Sequence, residues 1–373
     1  MRFDTKLVHS GYDVTASTGD VVPPIHLAVT YDRRAQEPVE YFYGRGENPT
    51  RQALETCLAA LEDAEFALTF ASGQAAGAAA LSLLEPGDRL VCSDDVYGGT
   101  HMLLSEYARY GVNVEYLDLS TPDIVLPEDV RMVWIEAPTN PLLKVADIAA
   151  IARQGPIVLV DNTFASPVLQ QPLSLGADIT LYSTTKFIAG HSDVLGGALV
   201  FNDPAWQARL LGYRTAVGSV PGPLDCFLVH RGLKTLSLRV FRQVANTRAV
   251  VEALRDCPSV GRIHYPGLPE HPGHAVAARQ MSEPGSIVSF EYLGDVAKLM
   301  ERVRLFACAV SLGGVRSLIE CPAMMTHRPV PRQTRLALGI EDNLVRLSLG
   351  IEDPADLVED LVTAVNEAER QDG

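Results

Sequence analysis

Short apolar runs set the rhythm of the first two thirds of the chain. Residues 89–91, 113–117, 132–135, 157–160 and 179–182 are too short for helices, and most are rich in β-branched side chains. They are predicted as strands. Between them the apolar spacing turns helical. Residues 50–64 follow Pro49 and Thr50, and an Ala-rich stretch opens at Ser72-Gly73-Gln74, runs to about Leu84 and is closed by Pro86-Gly87. Strands alternating with helices predict a mainly parallel sheet with helices on both faces.

Beyond about residue 225 the pattern changes. A long helix is predicted over 224–254, then strands at 287–292, 309–312 and 344–349, and helices at 296–305 and 354–369. This reads as a smaller α+β unit. The first 43 residues show little periodicity, and the paired Pro23-Pro24 favour an extended arm that packs on a neighbouring subunit. The expected division is an arm at 1–43, a large domain at 44–235 and a small domain at 236–373.

Composition adds limits. The chain has 373 residues, 47% hydrophobic and 21% charged, which allows an ample core. A net charge of −15 argues against nucleic acid and anionic membranes as partners. The six cysteines include no C-x-x-C pair, the N-terminus has no apolar signal, and no run is long enough to span a bilayer. A soluble cytoplasmic protein with reduced thiols is expected. His271-Pro272-Gly273-His274 reads as a turn, so no metal site is expected. No Gly-x-Gly-x-x-Gly follows a strand, which disfavours a nicotinamide site.

The chemistry concentrates after two of the predicted strands. Ile157 to Val160 ends in Asp161, and Leu181-Tyr182 runs into Ser183-Thr184-Thr185-Lys186. In a parallel sheet, functional groups gather at strand carboxyl ends. Alone, Asp161 is a turn former and Lys186 a solvated cation. Together with Ser183 and Thr185 they form the set that pyridoxal phosphate needs. The lysine binds the cofactor aldehyde, the hydroxyls hold its phosphate, and the aspartate keeps its ring nitrogen protonated. Gly73 and Gln74 at a helix start would present N–H groups to a phosphate, although Ser72 is equally a simple cap. Tyr97, flanked by Gly98-Gly99, reads equally as a stacking ring and as a buried tyrosine beside a turn. Arg346 sits among apolar residues of a predicted strand. If buried, its charge needs a partner, and a substrate carboxylate would supply one.

These motifs resemble the pyridoxal-phosphate enzymes of cysteine and methionine metabolism. The most specific are Tyr43-Gly44-Arg45-Gly46-Glu47-Asn48-Pro49-Thr50-Arg51, residues 183–193, and Ser311-Leu312-Gly313-Gly314. The family includes cystathionine γ-lyase, β-lyase and γ-synthase, methionine γ-lyase and the O-acylhomoserine sulfhydrylases. The resemblance implies the aspartate-aminotransferase-like fold (fold type I). It implies Lys186 as cofactor anchor and proton shuttle, Asp161 at the ring nitrogen, and Gly73, Gln74, Ser183 and Thr185 at the phosphate. Tyr97 would stack on the ring and, as a catalytic group, help activate the incoming amine, and Asn140 would lie near the phenolic oxygen of the cofactor. Arg346, with Ser311, would bind the substrate carboxylate. Tyr43 and Arg45 would reach the phosphate of an adjacent subunit, giving a homotetramer of active dimers.

The implied reaction is γ-elimination of cystathionine, methionine or a related thioether to 2-oxobutanoate, ammonia and a thiol. The residues leave γ-replacement open as the alternative, with a non-catalytic binding protein behind it. Gln74 departs from a common methionine. Tyr97-Gly98-Gly99-Thr100 resembles cystathionine-handling members, whereas Phe42, Met102 and Arg316 replace the polar groups that those members use for the distal end of the substrate.

Overall fold

The computed structural model describes residues 1–12, 19–32 and 40–369. Seven strands form the larger sheet: β1 (Phe66–Phe70), β2 (Arg89–Ser93), β3 (Asn113–Leu117), β4 (Val130–Glu136), β5 (Ile157–Asp161), β6 (Ile179–Tyr182) and β7 (Gly197–Phe201). Their order is β1-β7-β6-β5-β4-β2-β3, with β7 antiparallel to both neighbours and the rest parallel. Both faces are covered, which explains the continuous apolar runs. On β5, Ile157 and Leu159 join one core while Val158 and Val160 join the other. The sheet is mainly parallel with helices packed on it, as the alternation predicts.

The second sheet has five strands: β8 (Val260–His264), β9 (Ile287–Tyr292), β10 (Ala307–Cys308), β11 (Leu318–Glu320) and β12 (Leu344–Ser348). Their order is β10-β11-β12-β9-β8. No helix among the described residues is long and apolar enough to cross a membrane.

Three expectations change. The chain at 309–312 is not a strand, because Ser311 (φ 92°) and Gly313 (φ 76°) turn it off the sheet after β10. The predicted long helix is two helices, Pro223–Leu233 and Leu236–Arg255. At the break, Gly232 lies so close to the Ala189 carbonyl that a Cβ there would sit 2.3 Å from its oxygen. The Gly232 carbonyl is instead taken by Arg239 at 2.8 Å. The arm also begins with a helix, α1 (Phe3–His9), whose Leu7 is buried in the core formed with the next helix. That helix, α2 (Pro49–Leu61), starts one residue before the predicted position because the Asn48 side chain accepts from the Thr50 and Arg51 N–H groups. Beyond α1 the arm is irregular, with Val21, Val22, Leu27 and Val29 exposed.

The helix Leu236–Arg255 joins the two cores. Leu236, Val240 and Val244 pack beneath the larger sheet, and Val250, Val251 and Leu254 pack against the smaller one.

Glu62, which follows α2, is buried and accepts from the Tyr182 hydroxyl at 2.6 Å and the Thr180 hydroxyl at 3.0 Å. Burial pushes its carboxyl up to about 7. The folded state thus holds a proton that the unfolded chain releases at lower pH. This stability is fully present below the ordinary carboxylate range and is lost as pH rises through about 7. Glu62→Gln removes the titration. Its thermal stability should gain on wild type from about pH 5 to about pH 8, by on the order of 3 kcal/mol at most. Parallel melting curves check this.

Candidate active site

A cavity of about 390 Å³ opens at the carboxyl ends of the larger sheet's central strands, with β12 closing its far side. Lys186, Asp161, Ser183, Tyr97, Asn140 and Arg346 all line it. Lys186 follows β6 after a short turn, and its Nζ donates to Ser311 Oγ at 2.7 Å. That contact depends on the turn at Ser311 that ends β10. Loss of water and the Arg346 charge bring the Lys186 amine down to about 8, against the opposing pull of Glu320 and Asp161.

Asp161 ends β5, and its Oδ1 accepts the Thr163 N–H at 3.0 Å. Desolvation pushes its carboxyl up to about 6. Glu136 ends the adjacent strand β4 directly beside it in register. Burial, then the charge of Asp161, push Glu136 well above the usual carboxylate range. Glu136 accepts the Tyr97 N–H at 3.1 Å and the Thr100 hydroxyl at 3.1 Å, which fixes the start of helix α4 (Gly98–Arg109) and with it Tyr97. A helix between these, α3 (Gly73–Leu81), points its N-terminus at the same end of the sheet. Ser72 caps the Ala75 N–H at 3.1 Å. Among the described residues the N–H groups of Gly73 and Gln74 have no acceptor in the chain.

Gly73 abuts Ser183, and a Cβ on it would sit 3.0 Å from the Ser183 Cβ and 3.2 Å from its Oγ. Free N–H groups beside a hydroxyl suit a phosphate dianion. Thr185 lines the same wall, and its hydroxyl accepts the Gly196 N–H at 3.0 Å. Across the cavity, Asp161 is a desolvated carboxylate that no cation among the described residues pairs with directly, Lys186 acting on it only at longer range, which suits a protonated pyridine nitrogen. Pyridoxal phosphate therefore fits the residues present, with Lys186 to anchor its aldehyde.

Arg346 is 2% exposed, and the protein itself answers its charge. Its Nη2 pairs with Glu320 Oε1 at 2.9 Å and donates to the Ser311 carbonyl at 3.0 Å, while Nη1 donates to Asn140 Oδ1 at 2.7 Å. Among the described residues its buried Nε has no partner. Other expected residues lie outside the cavity of this chain. Tyr43 bridges Thr30, and Arg45 lies over the Tyr43 ring and donates to the Thr215 carbonyl. Phe42, Met102 and Arg316 are exposed away from the cavity lining. The turn at His271 is closed locally, with the Gly273 N–H donating to the His271 side-chain Nδ1 at 3.1 Å and the His274 N–H to the His271 carbonyl at 2.9 Å. Among the described residues no cluster of His, Cys, Asp or Glu suits a metal.

The sequence reading missed Glu136 and Glu320. Each is an acid that ends a short buried strand, the same signal that exposed Asp161 at the end of β5.

The sheet topology, the lysine and the phosphate cradle define a pyridoxal-phosphate enzyme of fold type I. The family model for Cys/Met metabolism PLP-dependent enzymes matches residues 4–366, and the chain belongs to that family. Two solved structures of CalE6 from Micromonospora echinospora are 61% identical, cover 98% of this chain and 99% of theirs, and superpose with TM-scores of 0.96 and 0.93. One is described as a cystathione gamma lyase and the other as a methionine gamma lyase. The cystathionine gamma-synthase of Mycobacterium tuberculosis is 48% identical over 97% of this chain and 96% of its own. The cystathionine gamma-lyase of Dictyostelium discoideum is 45% identical over 98% of each.

Only a neutral amine adds to an aldehyde. The rate at which cofactor-free protein takes up pyridoxal phosphate should therefore rise with pH and level off above about 8, where Lys186 has lost its proton. Stopped-flow absorbance of the bound cofactor checks this. A midpoint near that of a solvated lysine would show that the amine is not depressed.

Proposed function

We propose that this protein is a carbon–sulfur lyase that cleaves a thioether amino acid by γ-elimination, giving 2-oxobutanoate, ammonia and a thiol. The observation that carries this reading is the distribution of charge in the cavity. Its charged lining groups are Lys186, Asp161, Glu136 and Arg346. Asp161 serves the cofactor ring, Glu136 is held by Tyr97 and Thr100, and Arg346 meets the substrate carboxylate. Phe164, Leu195, Val310 and Leu312 make up much of the remaining wall. In this chain an uncharged thioether or thiol tail finds a matching surface there, whereas among the described lining residues a second amino acid group finds no further charge. Methionine or homocysteine is thus favoured over cystathionine.

Bound pyridoxal phosphate supplies the electron sink that makes the substrate Cα–H acidic. The chain's own groups do the rest. Ser183, Thr185 and the Gly73 and Gln74 N–H groups hold the phosphate. Asp161 keeps a proton on the ring nitrogen. Tyr97 stacks on the ring. Lys186 takes the proton from Cα, then moves protons at Cβ and at the departing sulfur. Water completes the balance by releasing ammonia and 2-oxobutanoate. Tyr43 and Arg45 serve the phosphate of a neighbouring subunit, and the exposed apolar arm packs there in a homotetramer. Residues 44–235 form the cofactor domain and 236–373 the smaller domain. A cytoplasmic setting agrees with six free cysteines.

A second reading, γ-replacement with a thiol nucleophile, is favoured by the 48% identity to a cystathionine gamma-synthase. A substrate panel with 2-oxobutanoate and pyruvate measured separately distinguishes the two. Methionine and homocysteine should yield 2-oxobutanoate faster than cystathionine does. Faster formation of cystathionine from O-succinylhomoserine and cysteine than of any elimination product would favour replacement. Lys186→Ala should lower turnover by on the order of a thousandfold or more.

A further inference from the structure

Met324-Met325-Thr326-His327 closes a loop after β11, yet nothing in the reaction above uses it. His327 is 1% exposed, and its Nε2 lies 2.9 Å from the Asn140 carbonyl and 3.1 Å from the Val96 carbonyl. Two acceptors at one nitrogen require an N–H there, so this ring is the Nε2–H tautomer and donates to both. Thr326, its neighbour in the chain, donates its hydroxyl to Glu320 Oε1 at 2.8 Å. Glu320 Oε1 also pairs with Arg346 Nη2, and Arg346 Nη1 returns to Asn140 Oδ1. The contacts close on themselves, from Arg346 through Glu320, Thr326, His327 and Asn140 back to Arg346. The circuit ties β12 and β11 to the loop that follows β4.

We infer that Thr326 and His327 are positioning residues, which hold Glu320 and Asn140 and through them set the Arg346 guanidinium at the cavity wall where the substrate carboxylate binds. Among the described residues the buried Arg346 Nε has no partner. Nη1 and Nη2 are each fixed by side chains that the Thr326–His327 pair restrains. A buried guanidinium without these restraints would turn to satisfy itself within the protein and lose its set at the cavity wall. The same loop also sets Tyr97. The Thr326 carbonyl packs so tightly on Gly98 that a Cβ there would lie 2.4 Å from its oxygen. His327 stays neutral at working pH, because burial and the Arg346 charge bring it down to about 4, so the Nε2–H bridge persists.

This inference rests on Arg346 as the carboxylate anchor. The test separates the two by using ligands that differ only in the carboxylate. Glycine and methylamine are titrated into the holoenzyme, and the absorbance change of the bound cofactor gives each apparent Kd. Neither ligand has a γ-substituent, so the readout is independent of the lyase reaction. His327→Ala should weaken glycine about tenfold or more while changing methylamine less than about twofold, and His327→Gln, which can restore an N–H at the bridge, should recover glycine to within about threefold of wild type. Thr326→Val, which removes the hydroxyl's bond to Glu320 and its contact with His327 Nδ1 while keeping the His327 bridge to Asn140, should weaken glycine about threefold with methylamine unmoved. Equal weakening of both ligands, or no change in glycine, overturns the inference. If His327→Ala does not fold, the Thr326→Val result decides by the same criterion. Arg346→Lys is the control for the underlying reading. If it leaves the preference for glycine over methylamine intact, the carboxylate anchor lies elsewhere.

Discussion

Four ionisable side chains line one cavity and a fifth, Glu320, is buried behind Arg346, and the site depends on how their charges are matched. Asp161 and Glu136 stand side by side at the ends of β5 and β4, Lys186 follows the neighbouring β6, and Arg346 comes from the smaller sheet with Glu320 paired to it. In such surroundings an unanswered charge is costly, so each group either gains a partner or shifts toward its neutral form. Arg346 and Glu320 pair. Glu136 is driven toward protonation and receives the Tyr97 N–H and the Thr100 hydroxyl. Lys186 moves toward the free amine. Asp161 keeps a desolvated carboxyl facing the cavity, which is the opening that a cationic ring nitrogen fills.

The two sheets meet at this volume by a close backbone approach. A Cβ on Gly313 would lie 2.6 Å from the Phe187 nitrogen, so the segment after β10 is pressed directly against the turn that carries Lys186. Gly313 also has a positive φ, and both conditions exclude a side chain. This contact, rather than a strand, is what residues 309–312 contribute. It delivers the Ser311 hydroxyl to Lys186 Nζ and the Ser311 carbonyl to Arg346. Lysine and arginine thus take their positions from one short turn.

Much of this was legible in the sequence. The strands at 113–117, 179–182 and 287–292 fall where their apolar runs predict, because a buried strand advertises itself by composition. Asp161, Lys186, Ser183 and Arg346 were visible because they end or interrupt such runs. What stayed hidden is non-local. The break near Gly232 depends on the Ala189 carbonyl, far away in sequence, and the helical periodicity runs on through it. β7 enters the sheet between β1 and β6 against the prevailing direction, which its composition does not encode. Glu320 and Glu136 carry the same signal as Asp161, but without tertiary contacts an acid after a strand reads as a turn former.

The helix Leu236–Arg255 acts as a strut between the two cores. Beyond its apolar faces, Gln243 donates to the Gly314 carbonyl at 2.8 Å and Asn246 to the Gly350 carbonyl at 2.9 Å, gripping the small sheet behind Ser311 and Arg346. The aperture between Lys186 and Arg346 is therefore set partly by a rod that never reaches the cavity. Drift in the middle of that rod would retune which side chains the enzyme admits while every residue that touches substrate stays the same.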